Sequence, residues 1–147
     1  MVVAGAWVGA AQAAGLAVGG GAGAIDARRD VDAVALGERF CEARLLDDMD
    51  RVADHFAPAL ADLLAGRQAA DVPWQSFSAP ATWCTVEPMG PTDTVGVLLR
   101  VHYDSYGIKW TDLLSLERSP TSWLINNVFF ERGGNLRFAL FQRSTRR

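Results

Sequence analysis

The stretch Trp123 to Leu140 constrains this chain more than any other. It reads as a strand, a Glu131-Arg132-Gly133-Gly134 turn and a short helix from Asn135 to Leu140 with Leu136, Ala139 and Leu140 on one face. From Trp123 to Phe130 nearly every side chain is large and apolar except two adjacent asparagines, whereas a half-solvated antiparallel strand alternates apolar with polar. The apolar step is two from Trp123 to Ile125, three from Ile125 to Val128, and two again to Phe130. A regular strand would put Val128 on the wrong face. One extra residue at Asn126-Asn127 restores the register, so the spacing predicts a β-bulge and a bent sheet.

The rest of the chain supplies what such a sheet packs against. Asp30 to Arg44 carries a helical stripe of Ala33, Val34, Phe40, Cys41 and Ala43, broken by Gly37, with Glu38, Glu42 and Arg44 facing out. Asp47-Asp48 opens a second helix through Met49, Val52 and Phe56. Pro58 fits the first turn of a third, through Leu63 and Leu64, with Gly66 as its C-terminal cap. Arg67 to Pro80 is an irregular connection that Trp74 and Phe77 pin to the core. Three strands follow, Thr82 to Glu87, Thr94 to Tyr103 and Lys109 to Arg118, ahead of the Trp123 strand. In the second, Val95, Val97, Leu99, Val101 and Tyr103 share one face and His102 lies on the other. This order predicts an α+β domain, residues 30–142, with three N-terminal helices on a curved antiparallel sheet of about four strands and a short C-terminal helix.

Met1 to Ile25 contains no charged residue. Val2 to Ala10 resembles the apolar core of a secretory signal, and Ala11-Gln12-Ala13 has the small-x-small pattern of a cleavage site, so residues 1–13 read as a signal peptide, although no basic residue follows Met1. A membrane anchor is the rival reading, and the glycines clustered at Gly19, Gly20, Gly21 and Gly23 count against it. Residues 14–29 then form a flexible linker, and residues 143–147 a basic tail. A periplasmic or secreted protein is expected, touching the membrane only through its targeting segment. A formal net charge of −3 leaves no general basic field, which argues against nucleic acid.

Three helices, the Trp123-x-Ile125-x-x-Val128-x-Phe130 strand and the Leu136-Arg137-x-x-Leu140 end together resemble exported bacterial domains of unknown function in the nuclear-transport-factor-two-like, or ketosteroid-isomerase-like, superfamily. The resemblance covers residues 30–140 and implies a cone-like fold and a homodimer paired through the open sheet. Bulge positions that are often acidic in that group are Asn126 and Asn127 in this chain, and an amide does not titrate.

Cys41 and Cys84 are the only cysteines, and an even pair in an exported chain points to a disulfide, with two buried thiols as the other reading. Neither a C-x-x-C nor an H-x-x-x-H spacing occurs, so no metal site and no cofactor are expected. For catalysis of the isomerase type, Asp104 or Asp112 is the candidate base and Tyr103 or Tyr106 the donor, with His102 nearby. For ligand binding, Trp83, Trp110, Trp123, Tyr103 and Asn127 are the candidates. Aromatic richness without a convincing catalytic set favours a non-catalytic exported module that binds a small molecule or an envelope protein. An isomerase or dehydratase, and an inhibitor or immunity protein against an envelope toxin, are the alternatives.

Overall fold

The computed structural model describes residues 21–89 and 96–145. The expected signal peptide, residues 14–20 of the expected linker, and Arg146-Arg147 of the basic tail lie outside the described residues. Among the described residues three α-helices, α1 (Gly21–Leu45), α2 (Pro58–Leu64) and α3 (Leu136–Thr145), accompany four strands, β1 (Trp83–Pro88), β2 (Gly96–Ser105), β3 (Ile108–Arg118) and β4 (Trp123–Phe129). The strands form one antiparallel sheet in the order β1-β2-β3-β4. The chain is therefore α+β, with the helical segments first and a short helix last.

Helix α1 begins at Gly21 rather than at Asp30, so residues 21–29 of the expected linker fall within it. Its buried positions, Ala33, Leu36, Gly37, Phe40 and Cys41, recur every three or four residues and face the sheet. Gly37 does not break that stripe. A Cβ at this position would meet Leu99 Cδ1 at 2.5 Å and Val86 Cγ2 at 3.3 Å, so its bare backbone lets the helix sit directly on β1 and β2. Four residues further on, Cys41 is disulfide-bonded to Cys84 of β1, with Cα atoms 5.5 Å apart.

The second helix forms as a 3-10 helix, Met49–His55, and not as an α-helix. Its two buried residues, Met49 and Val52, are three apart, which suits three residues per turn, and Asp48 makes no side-chain cap bond. It stops where Phe56 bridges Ile125 of β4 and the Ala57 N–H donates to the Ile125 carbonyl at 2.8 Å. Pro58 opens α2 at its first turn, and Gly66 follows it with φ +76°. A second short 3-10 helix, Ala69–Asp71, lies in the irregular connection.

In β2 burial alternates strictly, with Val97, Leu99, Val101 and Tyr103 inward and His102 outward. The bulge falls where the step count predicts. Ser115 pairs with Asn127 and Leu116 with Ile125, which leaves Asn126 as the extra residue.

Two outcomes test this account of the core. Gly37→Val should destabilise the domain by about 1–3 kcal/mol through overpacking, with Gly37→Ala closer to neutral because Leu99 Cδ1 is the mobile end of its side chain, as urea unfolding would register. Replacing both Cys41 and Cys84 with serine should lower stability by about 3–4 kcal/mol for a separation of 43 residues, and free-thiol titration of the unreduced, denatured wild-type protein should find none.

Candidate functional site

The polar interior is built around Asp112, which lies on the inward face of β3 and is only 1% exposed. Its Oδ2 accepts a hydrogen bond from the Ser76 N–H at 2.8 Å, and its Oδ1 accepts from the Glu131 N–H at 3.0 Å and from the Ser76 hydroxyl. Burial pushes the Asp112 carboxyl above its ordinary pKa, and the bonds from Ser76 and Glu131 oppose this in part. The residue anchors the irregular connection and the turn after β4 to the middle of the sheet.

Tyr103 and Trp110 pair across β2 and β3, and their rings stack with centroids 5.0 Å apart. Phe77 from the connection tilts against Trp110 at 5.1 Å, and Trp74 stacks on Phe56 at 5.3 Å, so both aromatics of that segment pin it to the core. Among the described residues the Tyr103 hydroxyl and the Nε1 groups of Trp110 and Trp123 are buried without a hydrogen-bond partner. Burial raises the Tyr103 pKa, and the nearby Arg44 guanidinium works against that rise.

Arg44 was expected to face out, yet its side chain is only 12% exposed. Its Nε and Nη2 both donate to Gln75 Oε1, at 3.1 and 2.8 Å, while Asp47 comes no closer than 4.0 Å. Gln75 is itself buried and donates from Nε2 to the Phe77 and Ala79 carbonyls, each at 2.8 Å. Beside this pair opens a cleft of about 480 Å³ between the end of α1, the connection and α3, walled by Arg44, Asp71, Trp74, Gln75 and Arg143 among others. Sequence reasoning overlooked Arg44 and Gln75. The available signal was spacing, since Arg44 stands three and four residues beyond Cys41 and Phe40 in the buried stripe.

None of the expected site residues lines the cleft. Trp110 and Trp123 are core residues at 3% exposure, the latter with the Arg118 guanidinium 5.4 Å from its ring centroid. Trp83 and Tyr106 are solvent-exposed. His102 lies on the outer face, between Thr111 Oγ1 and Glu87 Oε1 at 2.8 Å each, and its hydrogen bond holds the Glu87 carboxyl below the usual carboxylate range. Asp104 Oδ1 accepts from the Gly107 N–H at 2.8 Å, the bond of a turn residue. Of the catalytic candidates, only Tyr103 and Asp112 share the inward face.

Asn127 is buried, and its Oδ1 accepts from the Arg137 N–H at 3.0 Å and the Val128 N–H at 2.9 Å, while its Nδ2 donates to Asn135 Oδ1 at 3.2 Å. Asn135 Oδ1 in turn accepts from the Phe138 N–H at 2.9 Å, and Asn126 Oδ1 from Arg137 Nη1 at 2.9 Å. Asn127 of the bulge and Asn135 thus cap α3, while Asn126 holds the Arg137 side chain.

Among the described residues no group of three or more His, Cys, Asp or Glu could hold a metal ion, and no helix is long and apolar enough to cross a membrane. No protein-family model matches the chain, and no curated protein or solved structure does either.

Asp112 gives a signed pH dependence. The folded state holds its proton more tightly than the unfolded chain, so its contribution to stability is present at acid pH and is lost as pH rises through the raised folded value. The stability advantage of wild type over Asp112→Asn, measured by denaturant unfolding, should therefore shrink as pH is raised from about 4, the ordinary carboxylate value, through the raised folded one.

Proposed function

We propose that the protein is a non-catalytic binding module of the cell envelope that holds a small ligand in the cleft beside Arg44. One observation carries this reading: the cleft offers a largely buried arginine whose hydrogen-bonded partner is a neutral amide and whose ion pair with the solvent-exposed Asp47 is long, at 4.0 Å, so a ligand carboxylate can meet the charge more closely. The groups that acid–base chemistry would require are otherwise engaged. Asp112 is saturated by Ser76 and Glu131, Asp104 is held in the turn by Gly107, and His102 faces away from the core. Export is part of the proposal, supported by the uncharged residues 1–25 and by the disulfide. So are a cone-like curvature and membership of the nuclear-transport-factor-two-like superfamily, supported by helices ahead of the sheet and by the bulge in β4.

Native mass spectrometry of protein purified without refolding should find a noncovalent adduct that the Arg44→Met variant lacks. If wild type carries none, and a panel of small carboxylates and amides leaves its unfolding temperature unmoved, the cleft is not a ligand site. A homodimer paired through the open sheet belongs to the same reading, and a monomer mass by light scattering would remove it.

An enzyme of the ketosteroid-isomerase or dehydratase type is favoured by a different observation. Tyr103 and Asp112 share the inward face of the sheet, and the Tyr103 hydroxyl is unpartnered. Turnover of an enolisable ketone that is lost in both Tyr103→Phe and Asp112→Asn would establish this reading in place of binding.

A further inference from the structure

Helix α3 is apolar on two opposite sides. Leu136 and Leu140 are fully buried against the domain, while Phe138 and Phe141, on the other side of the helix at 100° per residue, are 54% and 57% exposed. A third exposed ring, Phe129, belongs to the residue whose backbone bridges Asn135 at the helix start. A surface helix ordinarily turns polar residues outward, and aromatic side chains grouped on its solvent face indicate an occupant.

Charge indicates which occupant. Residues 131–147 hold Arg132, Arg137, Arg143, Arg146 and Arg147 against Glu131 alone, in a chain whose net charge is −3. The remainder of the chain is therefore strongly acidic. Arg137 and Arg143 each donate to a neutral oxygen, those of the Asn126 side chain and the Asp71 backbone, and Arg132 lies over the Phe77 ring. Among the described residues none of these three forms an ion pair with a carboxylate. Arg143 turns to the cleft side of the helix, but Arg137 lies between the two sides, next to Phe141, and exposed rings on a helix in so positively charged a segment are the composition of an element that rests in the headgroup layer of an anionic bilayer. The acidic remainder would be repelled by the same surface, which fixes the orientation with α3 toward the lipid.

We propose that the outward face of α3 is a peripheral docking element that seats Phe138 and Phe141 in an anionic phospholipid surface. Sedimentation of the full chain with vesicles tests it, comparing phosphatidylcholine alone with phosphatidylcholine containing about one-third phosphatidylglycerol. Wild type should bind the anionic vesicles, with a partition coefficient that drops as salt is raised from about 0.1 to about 0.5 M. The Phe138→Ser/Phe141→Ser variant should partition about tenfold more weakly while keeping the wild-type near-ultraviolet circular dichroism, because both rings lie outside the core. Equal partitioning of variant and wild type, or indifference to phosphatidylglycerol, would overturn the proposal. So would a drop in the variant's mass by light scattering without lipid, since the rings would then join copies of the chain.

Discussion

The arrangement of the domain depends on one buried carboxylate. Asp112 accepts bonds from Ser76 and Glu131, residues on two segments that share no secondary structure. A charge taken out of water is tolerable when donors surround it, and these donors come from the connection before β1 and from the turn after β4. Holding Ser76 sets where Gln75 and Phe77 lie, and so fixes the partner of Arg44 and the ring against Trp110. Holding Glu131 sets where the chain leaves the sheet for α3.

The bulge has a similar double use. A bulge leaves its extra residue without a ladder partner, and in this protein Asn126 spends its side-chain oxygen on Arg137. Its neighbour Asn127 bridges to Asn135 and to the Arg137 backbone, so the first turn of α3 is satisfied by side chains from the strand beneath it. Strand irregularity and helix start form one structure. An acidic residue at position 127 would lack the amide N–H that Asn127 gives to Asn135, which is a structural reason for asparagine there.

Periodicity made much of the fold legible. The alternation of β2, the count of steps across Asn126-Asn127 and the Pro58 and Gly66 boundaries each rest on a local rule that tertiary contacts did not override, while the disulfide followed from the even cysteine count in a chain expected to be exported. The misreadings have a common cause. Gly37 looked like an interruption because a lone helix gains nothing from glycine, and its use appears only when Leu99 and Val86 are set against it. Met49–His55 took the tighter helix because Phe56 and Ala57 are claimed by Ile125. The site was harder to read. Arg44, Asp71 with Gln75, and Arg143 meet in the cleft from three separate segments, and only Arg44 carries a local signal, its place in the buried helical stripe. Trp110 and Trp123 were conspicuous by residue type, yet large aromatic rings are as suited to filling a core as to lining a pocket.

The bond between Cys41 and Cys84 encloses a covalent ring. Inside that ring lie both 3-10 helices, α2, Gln75 and Ser76. A protease that cut the exposed Ala65–Gly66 stretch would sever the chain within the ring, and the two fragments would stay joined through sulfur. They would still hold Arg44 on one piece and Gln75 on the other, so a nick at the surface need not dismantle the cleft until a reductant parts the cysteines.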